Sequence, residues 1–338
     1  MSKDLNDRLK NQDLAFIEKF SLHPADAAEG SGSLGEAPEN GLTQLDTTLV
    51  RQPGKYKSGF AGSVQKKLAT VLPVFKPKDD FVRVHTIEFR VMKKLIAYVN
   101  LTRESSSTTM KEGINTISMA ASYDSAKSQS DWIPVYFLPW ADNFVISLTI
   151  PKKAPTTGPD PSVFLTAAIN GCSVFVQGTP DQPTIYHAGG ETKRGKDHFR
   201  AAGFWREVVM NFADTSKGKF QSEISKVDYI KTPGFNDTTP NAAAYENWLK
   251  SKYSKMLQIQ QVNPWGCVFG FRDKDRNWKF YLQENCTVLY TFLTAKNGAP
   301  DVKMQRVSRP IVLREIFPAQ PAGVPLNNTI PPITVSAL

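Results

Sequence analysis

Histidine and cysteine are scarce in this chain: it has four of the first and three of the second among 338 residues. The cysteines, Cys172, Cys267 and Cys286, are odd in number, and no two stand in a CxxC pair. A disulfide framework and a cysteine-rich zinc site are thereby excluded, and at least one thiol stays unpaired within the monomer. Whether Cys267 and Cys286 pair is left open. So few histidines also constrain a histidine-based metal centre. The sequence contains no P-loop, no GxGxxG after a strand, no HExxH and no GxSxG, the signatures of phosphate cradles, zinc proteases and serine hydrolases. No apolar run approaches the ~20 residues a membrane span requires, so no membrane span is expected. The opening residues, MSKDLNDRLKNQDLAFIEKF, hold no apolar stretch of signal-peptide length. Export by a route that reads no cleaved signal is the expectation.

Positive charge is abundant. The formal net charge is +9, enough in principle to attract nucleic acid, anionic membrane or an acidic partner. It is spread over short groups: Lys66-Lys67, Lys93-Lys94, Lys152-Lys153, and Lys193-Arg194 with Lys196. Such isolated pairs fit a solvated surface better than a nucleic-acid stripe, and no nucleic-acid partner is expected. Hydrophobic residues at 41 % can build a sizeable core in one large or two small domains.

Residues 3–22 carry a helical pattern, with Leu5, Leu9, Leu14, Ile17 and Phe20 on one loose face and His23-Pro24 ending it. From 24 to 60 the chain turns rich in Gly, Ser, Glu and Pro, a composition that buries too little apolar surface to order itself. The expected organisation is an N-terminal helix and flexible linker over 1–60 and a single catalytic α+β domain over 61–338. Strand-like stretches, β-branched and aromatic, fall at 81–91, 132–138, 144–150, 163–168, 173–176, 184–186, 256–271, 278–282, 287–293 and 311–316. Residues 95–101 read equally as strand or helix. Helical patterns fall at 199–212 and 242–253. The elements do not alternate as βαβα, so the expected fold class is α+β, with β-sandwich-like sheets and flanking helices.

The site reading rests on Ile169-Asn170-Gly171-Cys172-Ser173-Val174-Phe175-Val176, a turn, and Ile185-Tyr186-His187-Ala188-Gly189-Gly190. Cys172 opens one strand and His187 closes the next, fifteen residues on. If the strands pair as a hairpin, the two side chains come side by side. Gly171 lets the backbone bend before the sulfur. An imidazolium beside Cys172 would lower its pKa from about 8.5 and give a thiolate at neutral pH. That thiolate attacks a carbonyl, and the histidine protonates the leaving amine. His198, at the start of the 199–212 pattern, is a candidate near-site polar group.

These two segments resemble the catalytic hairpin of the cytotoxic necrotizing factor family of glutamine deamidases. Members carry Ser-Gly-Cys-Thr entering a strand and an aromatic-containing strand ending in His-Thr-Gly. The Burkholderia lethal factor and the chemotaxis deamidases share a related Cys–His core. The resemblance covers residues 163–190. It implies that Cys172 is the nucleophile and His187 the general base, with Gly171 matching the family's glycine. Asn170 stands where the family has Ser, and Ser173 where it has Thr. It implies a third group that orients the histidine, often a backbone carbonyl, for which the Asp142-Asn143 turn is a candidate. It further implies deamidation of a protein glutamine through a thioester, with no metal and no organic cofactor. The protein would then be a bacterial toxin or effector, secreted or injected, that acts on a host or rival protein in a target-cell cytoplasm. Two alternatives stay open: another Cys–His acyl-transfer enzyme, such as a protease or transglutaminase, and a non-enzymatic β-rich binding or structural protein with Cys172 inert.

Overall fold

The computed structural model describes residues 2–30, 32–39, 44–46, 86–103, 116–190, 205–206, 208–209, 212–213, 215–218, 220–229, 256–296 and 298–318. The helical pattern at 242–253 and the basic group at 193–196 lie outside them, as does His198.

The N-terminal helical pattern becomes two short helices, α1 (Ser2–Lys10) and α2 (Leu14–Lys19), and then a strand, β1 (Ser21–Pro24). Gln12, with φ 58, breaks the first helix. The Asp13 carboxylate caps the second by accepting from Phe16 N at 3.0 Å, satisfying one of the N–H groups a helix start leaves without partners. Tertiary hydrogen bonds end α2 ahead of the proline. The buried Gln283 amide donates to the carbonyls of Ile17 (2.7 Å) and Phe20 (2.8 Å), and its oxygen accepts from Leu22 N (2.8 Å). His23 and Pro24 therefore lie in an edge strand instead of terminating a helix.

The segment expected as a free linker is, in its described part, tied to the body by backbone hydrogen bonds: Ala25 N to Met119 O, Glu29 N to Ala121 O, Glu36 N to Val91 O. Main-chain pairing needs no apolar side chains, which is why composition alone misjudged this stretch.

Among the described residues, two sheets form the body. One has eight strands in the order β1, β5 (Thr116–Ser122), β4 (Ile96–Arg103), β6 (Ile133–Leu138), β8 (Val163–Thr166), β12 (Met256–Arg272), β13 (Trp278–Lys296), β14 (Ala299–Phe317). The other has six, in the order β11 (Phe220–Ile224), β9 (Ser173–Thr179), β10 (Gln182–Gly189), β7 (Phe144–Thr149), β3 (Thr86–Val91), β2 (Gln44–Asp46). Pairing is mostly antiparallel; β1/β5, β3/β7 and β6/β8 are parallel. The ambiguous stretch 95–101 is a strand. The stretches 278–282 and 287–293 belong to one long strand, β13. Among the described residues helices are few and strands dominate, compatible with a β-rich α+β fold.

Strand alternation decides what each face of the six-stranded sheet meets. Ile146, Leu148, Val174, Val176 and Ile185 share one hydrophobic cluster with Val99, Val135, Phe137 and Phe164 of the larger sheet. On the other face, Ile87, Phe89, Val145, Phe175 and Tyr186 cluster with Trp205, Val208, Val209 and Phe212. Trp205, Arg206, Val208, Val209 and Phe212 are helical, within the pattern read at 199–212. Among the described residues, no helix is long and apolar enough to cross a membrane.

Candidate functional site

The approach to Cys172 is a loop pinned at three levels. Ala167 N donates to Leu138 O at 3.0 Å, and Ile169 exchanges two 2.8 Å backbone hydrogen bonds with Gly266. Gly171 then takes φ 111 with open space around it, a backbone conformation strained for any residue with a Cβ. Its N–H donates to the Tyr229 hydroxyl at 2.7 Å, and that hydroxyl donates to the Cys172 carbonyl at 2.9 Å. Tyr229 ends a short helix, α3 (Lys226–Tyr229), and is buried. One side chain thus holds the backbone on either side of the Gly171–Cys172 peptide.

Strands β9 and β10 pair antiparallel, with His187 opposite Val174 and Ala188 opposite Ser173. On its other side His187 faces Ile146 of β7. The next step of the register brings Cys172 opposite Gly189. Cys172 and His187 consequently share a face of the sheet but stand diagonally, two residues apart along the strand, not directly across from each other as the fifteen-residue spacing suggests. Diagonal neighbours on a sheet have Cα atoms about 7–8 Å apart, within reach of long or aromatic side chains.

Both groups are deeply buried: Cys172 is 7 % exposed and His187 1 %. Neither ring nitrogen of His187 has a hydrogen-bond partner among the described residues. Burial holds its pKa down at about 3, so the imidazole is neutral at pH 7. Burial likewise pushes the Cys172 thiol up to about 12. The backbone at Asn170 and the Trp140 indole oppose that rise, while the carboxylates of Asp142 and Asp26 add to it. The expected thiolate–imidazolium pair is therefore absent at rest, because removing two charges from water costs more than their proximity returns. What the site holds is a neutral thiol and a neutral imidazole.

The remaining sequence-derived residues separate. Asn170 is exposed and Gly171 half-buried. Ser173 is buried, but the strand alternation turns it to the face opposite Cys172. Asn143 takes φ 67 at the turn after β6. Its carbonyl accepts from Glu88 N at 2.9 Å, and neither nitrogen of His187 bonds to it. Among the described residues, no cluster of three or more His, Cys, Asp or Glu could hold a metal ion.

Sequence reading overlooked Trp140, Gly189 and Tyr229. A Cβ on Gly189 would stand 2.5 Å from Trp140 Nε1 and 2.6 Å from Cys172 Sγ. The indole and the sulfur already fill that position, so only glycine fits there. The Pro139-Trp140 turn between two strands could have signalled Trp140. For Tyr229, 57 residues from Cys172, no sequence signal exists.

No family model matches the chain, and no curated protein matches it.

Two facts about charge complete the picture. Lys93 bridges Glu36 (2.9 Å) and Glu39 (3.2 Å), and Lys152 meets Asp181. Lys93 and Lys152 are thus exposed and paired locally with carboxylates.

Proposed function

We propose that this protein is a cysteine-dependent protein-glutamine deamidase, with Cys172 as nucleophile and His187 as general base. One observation carries the reading: a buried imidazole with no hydrogen-bond partner on either nitrogen among the described residues shares a sheet face with a buried thiol. An unpartnered buried polar group costs about 1–3 kcal/mol. The packing around His187, Val174 on one side and Ile146 on the other, offers nothing to offset that cost. The resemblance of residues 163–190 to the cytotoxic necrotizing factor hairpin supports the same pair and the same chemistry.

The chemistry starts from the neutral pair. As a glutamine carboxamide approaches, the thiol proton passes to His187 and sulfur forms a bond to the amide carbon. The C=O electron pair moves onto oxygen. When the C–O double bond re-forms, the C–N bond breaks. His187 delivers its proton to the departing nitrogen, ammonia leaves, and a thioester remains. Water then attacks the thioester, giving up a proton to His187. The C–S bond breaks, thiol and carboxylic acid appear, and glutamine has become glutamate. An amine in place of water gives transglutamination from the same intermediate. We read the protein as a bacterial toxin or effector whose partner is a protein of the cell it enters.

The buried thiol with its raised pKa also favours a second reading, an inert cysteine packed inside a β-rich binding protein. Mass analysis separates the two. Purified host and bacterial proteins are incubated with the wild type and with Cys172→Ala, and tryptic peptides are compared. Deamidation adds about 1 Da at a glutamine, where oxygen replaces the amide nitrogen at the attacked carbonyl, and the variant adds none. Equal peptide masses in every protein, together with full toxicity of Cys172→Ala on introduction into cells, would leave the inert reading.

A further inference from the structure

Trp140 lies in the turn between β6 and β7, and its backbone N–H is fixed by the carbonyl of Asp26 at 2.7 Å. Its ring packs against the core, and its Nε1 is buried, with no oxygen or nitrogen acceptor among the described residues. What the indole N–H meets is sulfur. A Cβ on Gly189 would stand 2.5 Å from that nitrogen and 2.6 Å from Cys172 Sγ. The two atoms therefore come together over the bare Cα of Gly189, and the indole hydrogen-bonds the thiol. The Asn170 backbone bonds the same sulfur. Tyr229 grips the backbone on either side of the Gly171–Cys172 peptide, which fixes where the sulfur stands. A thiol sulfur is a weak acceptor, whereas a charged acceptor makes a hydrogen bond roughly twice as strong. The contact tightens only when the sulfur carries charge, and an interaction that strengthens along the reaction is one that speeds it.

We propose that the Trp140 indole N–H is the group that steadies the negative charge on Cys172, both when the thiol ionises and when the thioester releases the sulfur, and that Gly189 is glycine so that nitrogen and sulfur can meet. The inference rests on the reading of Cys172 as nucleophile. In the acyl step the thiol proton passes to His187, and the S–H electron pair stays on sulfur, where the indole N–H donates to it. As the S–C bond forms, the charge passes to the carbonyl oxygen and the contact relaxes. In hydrolysis the C–S bond breaks and its electron pair returns to sulfur. The same N–H meets it there until the sulfur takes a proton back from His187. Trp140 gives up no proton in either step, so proton and charge are handled by separate residues.

Ring analogues at position 140 isolate the N–H. 3-Benzothienylalanine keeps the ring size and lacks the N–H. 5-Fluorotryptophan keeps the N–H and, with an electron-poor ring, donates more strongly. Alkylation of Cys172 by iodoacetamide follows thiolate fraction and access. It is measured at pH 9 in the wild type and in both analogues, by mass spectrometry of the Cys172 peptide. Losing a hydrogen bond to a charged group lowers the thiolate fraction roughly ten- to a hundredfold. The less stabilised thiolate is the better nucleophile, which returns about half of that loss on a logarithmic scale. The benzothienylalanine protein is therefore expected to react ~3–10-fold more slowly than the wild type, and the 5-fluorotryptophan protein up to about twofold faster. Equal rates in all three, or a faster benzothienylalanine protein, overturn the Trp140 role and leave Cys172 as nucleophile. If the benzothienylalanine protein fails to fold, a 5-fluorotryptophan protein no faster than the wild type does the same. The nucleophile reading is tested apart, with p-nitrophenyl acetate: no acylation of Cys172 in the wild type overturns that reading and the Trp140 role with it.

Discussion

The two faces of the β9–β10 hairpin obey opposite rules. On the outer face the buried Tyr186, Gln177 and Thr184 side chains have found company. The Tyr186 hydroxyl donates to Gln177 Oε1 at 2.9 Å, the Gln177 amide donates to Gly218 O, and Thr184 Oγ1 accepts from Lys217 Nζ at 2.9 Å. On the inner face, one residue along from Tyr186, neither nitrogen of His187 has a hydrogen-bond partner among the described residues. The strands, their register and the depth of burial are shared. Fold stability accounts for the outer face, where polar groups repay their desolvation. It does not account for the inner face, where they remain a net cost and imply a role exercised only when substrate is present.

The sharpest way to break this contrast is to remove the polar group from each face in turn. His187→Leu is expected to abolish Cys172 acylation by p-nitrophenyl acetate. General acid–base groups contribute ~10²–10⁴-fold. The same substitution should raise unfolding stability by about 1–3 kcal/mol, since an unpaired buried imidazole gives way to an apolar side chain. On the outer face, Tyr186→Phe should lower stability by roughly 1 kcal/mol through the loss of one satisfied hydrogen bond, with acylation unchanged. Urea titrations of the three proteins read both signs. A destabilised His187→Leu would show the histidine to be structural.

The pH dependence of stability sharpens the comparison further. His187 has a folded-state pKa of about 3 against an ordinary 6.5. Below pH 6.5 the unfolded chain gains a proton that the folded protein refuses. The stability present above that pH is therefore lost as pH falls from 6.5 toward 3, by up to ~1.4 kcal/mol per pH unit from this residue. The acid limb of a stability–pH curve should be correspondingly shallower in His187→Leu and unchanged in Tyr186→Phe. At the alkaline end the sign reverses: the Cys172 thiol, raised from 9.0 to about 12, makes stability fall as pH rises above 9. Cys172→Ala should flatten that limb.

The smallest expected effect concerns charge at the rim of the inner face. Asp142 and Asp26 both raise the Cys172 pKa. Asp142→Asn and Asp26→Asn should each speed alkylation of Cys172 by iodoacetamide at pH 9 by about two- to threefold, because removing a nearby like charge favours the thiolate. An unchanged rate in both would place the carboxylates too far from the sulfur to matter.

Much of the fold was legible as pattern. Alternating β-branched and aromatic residues marked β6, β7, β9, β10 and β12. β5 and β11 escaped, because Thr116–Ser122 and Phe220–Ile224 are rich in small or polar residues that mimic loop composition. β1 escaped because a helical periodicity overlapped it and the competing partner, Gln283, lies more than 250 residues away. At the site, the chemical identities were visible: a cysteine after a flexible glycine, a histidine closing the next strand. The two-residue offset between them was not, since a turn's register depends on backbone geometry that residue counting does not resolve.

The sequence by itself determined which groups could react, because thiol, imidazole and the bending glycine are properties of single residues at short spacing. It also determined that two strands flank a turn between them, a local matter of alternation and turn chemistry. Only the tertiary structure decided the state in which those groups wait. Burial by strands from elsewhere in the chain raised the thiol, lowered the imidazole and left both neutral, the opposite of the ion pair that proximity alone predicts. It likewise brought Trp140 and Tyr229 to Cys172 from distant elements. Desolvation and long-range contact are properties of the packed molecule, and no short stretch of sequence contains them.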